Sequence, residues 1–325
     1  MKTVFIIGAG ANVEIGMPSG DDLRKEIAEI LNFSEFRKGN IDFFDAMSKA
    51  IHEEDKMYDI ASTIKKALPY SISIDNFLDV HRSEPNIILA GKLAIIYLIK
   101  KAEEKSSLYH YLNNYNKNIL NTWYLLFFQK ITEGNNITEF EERIKDMAFI
   151  IFNYDRCFEY YMIQALCDQF GINHSRAENI VNKMDIIHPY GIIGKIEDVA
   201  IGKTITPFEL INLTGNIRTF AENSHETRNK GATIQDHILN ASQIIFLGFG
   251  YHPMNLDLIF KDIKIKIIMK RCIKCYGTSL GISEKYREHI EYRLKQLYPR
   301  INICDISGGT CTQFFKDFWH RISFR

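Results

Sequence analysis

Residues 3–12 read TVFIIGAGAN, an apolar run that ends in a glycine turn, and this stretch decides the fold class. Five such residues in a row, Thr3–Ile7, are typical of a strand that is buried on both faces of a parallel sheet. After the turn, Ser19 is a typical helix N-cap, and its helix is predicted to run to about Leu31. A strand, a glycine turn and a helix in this order predict the first unit of an α/β fold.

The same alternation of strands and helices returns in the second half of the chain. Apolar runs predict further strands at 148–152, 184–187, 243–247, 265–269 and 301–306. Between and after them, helices are predicted to end near 170 and to occupy 232–241, 283–297 and 311–322. A polar run at 222–231 is interpreted as a loop near the edge of the sheet where ligands bind. This alternation predicts a Rossmann-like parallel sheet.

The stretch between these two parts has a helical pattern. Apolar residues recur at helical spacing in 41–51, 57–68, 75–81, 86–104, 107–131 and 138–146, without the alternation that strands show. We therefore predict two domains. Residues 1–32 and 147–325 form the Rossmann-like domain, and residues 33–146 form an all-helical insertion that serves as a lid or as a dimer-forming scaffold.

Composition argues against several classes of protein. Lys+Arg and Asp+Glu are equal at 40 each, so the chain has no overall positive field to attract nucleic acid or an anionic membrane. The longest apolar stretch, 87–99, contains Lys92 and is shorter than the ~20 residues that span a bilayer. Six cysteines are too few for a disulfide scaffold and suit a reducing compartment. The N-terminal apolar run resembles a secretion signal, but only Lys2 precedes it, so we expect a cytoplasmic protein.

Polar residues and glycines follow the predicted strands directly. Asn153 and Asp155 come after the second strand, His188 after the third, and Gly248 and Gly250 after the fourth. Ligands of open parallel sheets bind at the carboxyl ends of the strands, which makes these positions candidates for a site. Each also has a simpler interpretation. The glycines suit a tight turn as well as a phosphate, the Asn-Tyr-Asp segment suits a helix cap, and a histidine is a general base or a packed side chain.

The order of these motifs resembles the sirtuin superfamily, and more narrowly the SIR2-like domains of bacterial antiphage defence systems. The motifs are G-A-G-x-N with G-M-P behind it, then N-Y-D, then H-x-x-G, then G-x-G. The resemblance covers about 1–32 and 147–310, and Ser73–Leu78 is similar to a segment early in the helical part of such domains.

This resemblance implies a role for each matched residue. Asn153 would order the nicotinamide ribose and a water, Asp155 would contact the nicotinamide carboxamide, and His188 would be the catalytic base. The remaining matched positions would bind the diphosphate and adenosine parts of NAD, and they are Gly8, Ala9, Gly10, Ala11, Asn12, Pro18, Gly248 and Gly250.

Departures from the protein-deacylating sirtuins narrow the expected activity. Those enzymes carry a zinc ribbon before the last glycine turn, whereas here no cysteine lies between Cys167 and Cys272. The single C-x-x-C, Cys272–Cys275, has no partner pair, so we expect no metal. The usual D-F-R after the first motif is replaced by Ser19-Gly20-Asp21. These departures imply that NAD itself is hydrolysed and that no acyl peptide takes part in the reaction.

The resulting hypothesis is an NAD glycohydrolase that releases nicotinamide and ADP-ribose and depletes NAD in antiphage defence. Control by assembly is expected, through a homo-oligomer and a regulatory partner such as a HerA-type ATPase or an Argonaute-like protein, with no membrane and no direct nucleic acid. Two alternatives stay open: a protein deacylase or ADP-ribosyltransferase, and a non-catalytic sensor of NAD or ADP-ribose. Preference for NADP over NAD would involve Lys270 and Arg271.

Overall fold

A parallel sheet forms the centre of the computed structural model. The model describes residues 2–33, 40–109, 119, 121–219, 222, 225–260, 263 and 272–322, with the backbone alone for 225–229. The strands are β1 (Lys2–Ile7), β2 (Met147–Ile151), β3 (Asp185–Ile187), β4 (Ala241–Leu247), β5 (Ile273–Thr278) and β6 (Ile301–Ser307). Within the described ranges they form one sheet in the order β3-β2-β1-β4-β5-β6. The predicted α/β fold with a Rossmann-like sheet is confirmed.

The strand order creates the crevice that such folds use for ligands. β1 is the first strand in sequence but lies in the middle, where Phe5 is in register with Phe149 of β2 and Ile245 of β4. The chain builds the sheet outward from β1 to one edge and then from β4 to the other. At this reversal, the connections that leave β1 and β4 diverge and open a crevice at the carboxyl ends.

One strand was not predicted from the sequence. β5 reads IKCYGT and lies between β4 and β6, with most of its side chains buried. Its lysine and glycine interrupt the apolar run that marks the other central strands. Gly277 is required because a Cβ there would lie 2.5 Å from the Tyr251 hydroxyl. The strand predicted at 265–269 lies outside the described residues.

Helices cover both faces of the sheet and fill the predicted insertion. Those between β1 and β2 are α1 (Gly20–Ile30), α2 (Ile41–Ala50), α3 (Glu54–Ala67), α4 (Ile74–Val80), α5 (Pro85–Lys105), α6 (Trp123–Thr132) and α7 (Ile137–Ile144). Those that follow are α8 (Cys157–Phe170), α9 (His174–Val181), α10 (Pro207–Leu213), α11 (His225–Asn240), α12 (Pro253–Phe260), α13 (Glu284–Leu297) and α14 (Cys311–Phe318). The predicted loop at 222–231 is wrong from His225 onward, because α11 begins there.

The helices of the insertion share a core with the sheet. The Phe127 ring of α6 lies 5.3 Å from the Phe5 ring of β1 and 5.9 Å from the Phe149 ring of β2, measured between centroids. One continuous hydrophobic cluster includes these residues and the buried faces of α2, α3 and α5. The division at 33–146 stays a prediction, since the packing runs across it.

A buried ion pair joins α5 to the sheet. Glu103 of α5 and Arg156, which follows β2, are each 1% exposed, and Nη2 of Arg156 lies 2.5 Å from Oε2 of Glu103. The same guanidinium donates to the carbonyls of Gly194, Lys195 and Val199. Breaking such a pair leaves an uncompensated buried charge at a cost of about 3–5 kcal/mol. The pair therefore fixes the insertion against the loop that follows β3.

The described helices include none that is long and apolar enough to cross a membrane. The 21-residue helix α5 carries Lys92 and Lys100 on faces that are buried in the protein.

Candidate functional site

A cleft of about 570 Å³ lies at the carboxyl ends of β1 and β4, and we call it the switch-point cleft. Its volume falls within the range of roughly 300–1,000 Å³ that is usual for small-molecule sites. Several chain segments contribute to its lining: the turns after β1 and β4, the starts of α1, α4 and α14, and the end of β5. Lining residues from these segments include Gly8, Ala9, Gly10, Asp75, Gly248, Gly250, His252, Thr278 and Ser279.

The two glycine turns in this cleft pack directly against each other. The Gly10 amide donates to the Gly248 carbonyl at 3.0 Å. A Cβ on Gly8 would lie 2.6 Å from the Gly248 carbonyl oxygen, and a Cβ on Gly248 would lie 1.8 Å from the Ala11 nitrogen. Gly248 also has a positive φ of 55°, which disfavours any side chain. Backbone contact between the turns therefore requires these glycines, whatever ligand they also contact.

Five of the eight residues predicted to bind NAD line the cleft: Gly8, Ala9, Gly10, Gly248 and Gly250. Ala11, Asn12 and Pro18 are not in the lining formed by the described residues. The amides of Gly10 and Ala11 donate to protein carbonyls, those of Gly248 and Gly8 respectively. A diphosphate in this cleft would therefore be met by other donors, and the N-termini of α1 and α14 lie in its wall.

Asn12 and Asp155 meet in a buried network instead. Asn12 Nδ2 donates to Asp155 Oδ1 at 2.8 Å, and the Tyr124 hydroxyl donates to Asn12 Oδ1 at 2.7 Å. Asp155 Oδ1 also accepts from the backbone amide of Cys157, which begins α8. Burial, with a contribution from the Glu103 charge, raises the pKa of Asp155 to about 6. The network ties the turn after β1 to the turn after β2.

Asn153 has a buried side chain that lacks hydrogen-bond partners. It is 4% exposed, and neither Oδ1 nor Nδ2 has a partner among the described residues. A buried amide without partners costs roughly 1–3 kcal/mol, so such groups are usually satisfied by a ligand or a water. Among the predicted catalytic residues, Asn153 is the one with its side-chain donor and acceptor still to be satisfied.

His188 is buried between two acceptors. Its Nδ1 lies 3.2 Å from the Asn153 carbonyl oxygen, and its Nε2 lies 2.7 Å from Oε1 of Glu159 on α8. Burial favours the neutral ring, but the Glu159 carboxylate and the Asn153 carbonyl outweigh it and raise the pKa of His188. The ring is thus a predicted base that is already engaged through both nitrogens.

His188 lines a second cavity, which we call the His188 cavity. It has a volume of about 580 Å³ and lies beyond β3, between the loop that follows this strand and α11. Lys195, Arg218 and Lys230 contribute positive charge to its lining, and Asp198 contributes negative charge. Asn153, Asp155 and His188 are absent from the described lining of the switch-point cleft. The predicted residues therefore fall into two neighbouring groups. The glycine-turn residues line the switch-point cleft, and Asn153, Asp155 and His188 lie outside its described lining.

Aromatic side chains form the wall of the switch-point cleft on the side of β2 and β3. The Phe152 ring lies 5.8 Å from the Tyr190 ring and 5.2 Å from the Phe249 ring. Phe152 precedes Asn153 in the chain, and Tyr190 follows His188 by two residues. The predicted catalytic residues are thus adjacent along the chain to side chains that line the cleft.

Several polar residues of the cleft were not predicted as site residues. The Tyr154 hydroxyl donates to Asp75 Oδ1, and burial raises the pKa of Asp75. The Tyr190 hydroxyl donates to Asn255 Oδ1 at 2.5 Å. Asp75 lies in the segment Ser73–Leu78 that carried part of the resemblance, so the sequence contained a signal for it. His252 and Asn255 follow the last glycine turn, and no motif marked them.

The two cysteines of the C-x-x-C pair lie in different environments. Cys275 lies within β5 and is buried, whereas Cys272 precedes the strand and is exposed. Residues three apart along a strand point to opposite faces. Among the described residues, no cluster of three or more His, Cys, Asp or Glu side chains suits a metal ion. Lys270 and Arg271, the residues considered for NADP, lie outside the described residues.

Comparison with other proteins adds no assignment to this geometry. No family model matches the chain, and no curated protein or solved structure matches it.

Proposed function

We propose that the protein is an NAD glycohydrolase that cleaves the bond between nicotinamide and ribose. The observation that carries this proposal is the switch-point cleft, which has a suitable volume for a nucleotide and is lined by both glycine turns of a sheet in the dinucleotide-binding strand order. The Asn153 amide at the neighbouring strand end has no partner among the described residues, which supports contact with a ligand or a water there.

The proposed chemistry is a transfer of the ribosyl group to water. Water attacks C1′ of the nicotinamide ribose, the C1′–N bond breaks, and nicotinamide leaves with the bonding electrons as a neutral molecule. The attacking water passes its proton to a base, for which we propose His188. Asn153 would donate to and accept from the ribose hydroxyls or the water and so hold them for reaction through an oxocarbenium-like state. No metal takes part in this scheme.

The physiological role that we propose is depletion of cytoplasmic NAD in antiphage defence. An activity of this kind harms its own cell, so it must be inactive until a signal arrives. We propose that a homo-oligomer and a regulatory protein partner, such as a HerA-type ATPase or an Argonaute-like protein, supply this control.

A second candidate function is a sensor that binds NAD or ADP-ribose without cleaving it. The contacts of His188 favour this candidate, because both ring nitrogens are bonded to protein atoms. The two functions differ in one product, since only the hydrolase releases nicotinamide.

The test is nicotinamide release from NAD by the purified chain without any peptide. We expect turnover by the wild type and a loss of at least ~100-fold in Asn153→Ala and His188→Ala. Asn302→Ala, an exposed residue of β6, and His174→Ala, an exposed residue of α9, are matched controls that should keep the wild-type rate. Binding of NAD without turnover, with or without candidate partners, would support the sensor. Failure to bind NAD would contradict the hydrolase, and failure to bind either NAD or ADP-ribose would contradict both functions.

A further inference from the structure

We infer that Glu159 is a positioning residue that holds His188 out of the reaction, and that release of the Glu159–His188 contact activates the site. The inference rests on the proposed function, because His188 is the base of that reaction. It concerns a residue outside every motif on which the sequence analysis depended.

The contacts of His188 require two protons on the Glu159–His188 pair. The Asn153 carbonyl oxygen is an acceptor only, so Nδ1 of His188, at 3.2 Å, carries a proton. Nε2 lies 2.7 Å from Oε1 of Glu159, and a hydrogen bond at this distance needs a second proton. Whether that proton resides on the ring or on the carboxyl group, it occupies the Nε2 lone pair. In this arrangement His188 cannot accept a proton from water.

The His188 ring is positioned away from the switch-point cleft. His188 lines the His188 cavity and does not contribute to the described lining of the switch-point cleft. Glu159 lies in the first turn of α8, whose Phe158 ring packs 4.7 Å from the Phe149 ring of β2, so the Glu159 contact draws the His188 ring toward α8. Release of this contact would free Nε2 and allow the ring to rotate toward Asn153 and the cleft.

Several charged groups surround the Glu159–His188 pair. Asp155 lies near the ring, and Lys230 of α11 donates to the His188 carbonyl at 3.2 Å. Arg156 is adjacent to Glu159 in a small cavity, but its guanidinium is already paired with Glu103. The other charged groups that face this small cavity are Glu178 of α9 and Lys195 and Glu197 of the loop after β3.

Among the described residues, the Glu159 carboxyl group has one hydrogen-bond partner, the His188 ring. Its Oε2 is buried and has no hydrogen-bond partner among the described residues, and its Oε1 bonds to His188. The Glu159 carboxyl group therefore depends on the His188 ring for its hydrogen bond. A change that supplies the carboxylate with another hydrogen-bond donor in the small cavity would compensate Glu159 and release the ring.

The test compares Glu159→Gln with Glu178→Gln in the full chain. Both remove one carboxylate from the wall of the same small cavity, but only Glu159 bonds to His188. The pKa of His188 is measured by NMR on protein with labelled histidine, with His188→Ala providing the assignment. Nicotinamide release at pH 7 is measured on the same samples, and circular dichroism confirms that each variant is folded.

We expect Glu159→Gln to lower the pKa of His188 by about one pH unit or more and to raise nicotinamide release by roughly 10-fold. Glu178→Gln should leave both unchanged. A His188 pKa that does not fall in Glu159→Gln overturns the inference, whether or not the protein cleaves NAD. A lower pKa with slower release also overturns it, because Glu159 then assists the base. If no variant releases nicotinamide, the proposed function fails, and the pKa still reports on the contact itself.

Discussion

The two cavities beside the sheet have nearly equal volumes, about 570 Å³ and about 580 Å³, but opposite chemistry. The switch-point cleft has aromatic and glycine walls and includes the carboxylates of Glu14, Asp21 and Asp75. The His188 cavity includes the cations of Lys195, Arg218 and Lys230 beside the single carboxylate of Asp198, so we expect the two to favour different ligands. Nucleotide-binding geometry and the predicted base therefore lie in neighbouring but separate spaces.

This difference indicates that control of the proposed enzyme would act on the His188 side. The contact between the two glycine turns of the cleft is made by backbone atoms, so no side-chain rotation can relax it. The His188 side depends on side-chain contacts and on one buried ion pair, which can rearrange. Substitutions on each side, and then at the connection between the two sides, test this difference.

The largest effect is expected from Gly248→Ala, which damages the switch-point cleft alone. The new Cβ would lie 1.8 Å from the Ala11 nitrogen at a residue with positive φ. The turns must separate, at a cost of about 4 kcal/mol or more in the free energy of unfolding, together with loss of nucleotide binding. Gly215→Ala, where a Cβ meets no atom within 4 Å, is the control. Urea denaturation measures both, and equal stability of the two variants would contradict the packing argument.

The next effect concerns the His188 side. Glu103→Ala leaves Arg156 buried without its carboxylate, and we expect a loss of about 3–5 kcal/mol in the free energy of unfolding. Because Arg156 also holds the carbonyls of Gly194 and Val199, hydrogen exchange in the loop after β3 should increase more than exchange in β4. A uniform increase across the sheet would show that the pair stabilises the fold as a whole and not this loop.

A smaller and pH-dependent effect is expected at the connection between the two sides. The pKa of Asp155 is raised from 3.8 to about 6, so the folded state favours the protonated carboxyl group. Its stabilising contribution is complete below pH 3.8 and is lost as the pH rises through about 6. Asp155→Asn keeps the acceptor for Asn12 and Cys157 without the charge. At 1.36 kcal/mol per pH unit, its gain over the wild type should be about 3 kcal/mol larger at pH 7 than at pH 3.5.

That prediction is checked by urea unfolding of both proteins at the two pH values. A difference between the proteins that does not change with pH would mean that folding leaves the pKa of Asp155 near its ordinary value of 3.8.

The smallest effect is expected for an exposed ion pair that belongs to neither side. Lys145 and Glu142 lie 2.5 Å apart, but their side chains are 66% and 68% exposed. Solvent screens such a pair, so Glu142→Gln should change the free energy of unfolding by about 0.5 kcal/mol or less. A cost near that of Glu103→Ala would show that burial is not what separates the two pairs.

Local pattern was sufficient for most of the elements. β1, β2 and β4 are central strands of apolar residues, and their burial on both faces is the reason that they are recognisable. β5 was missed because Lys274 and Gly277 break its run, although neighbours on both sides determine its place. The beginning of α11 was interpreted as a loop because its residues are polar.

The sequence alone predicted the α/β class, the order of β1 to β4 and the strand-end positions of Asn153, Asp155 and His188. These follow from periodicity and turn chemistry, which act over a few neighbouring residues. Only the tertiary structure decided which of these residues face a cleft and which face one another. The contacts of Asn12 with Asp155, Glu103 with Arg156 and Glu159 with His188 join residues 143, 53 and 29 positions apart. Partners at such distances are chosen by the packing of the sheet and its helices, and no local pattern encodes them.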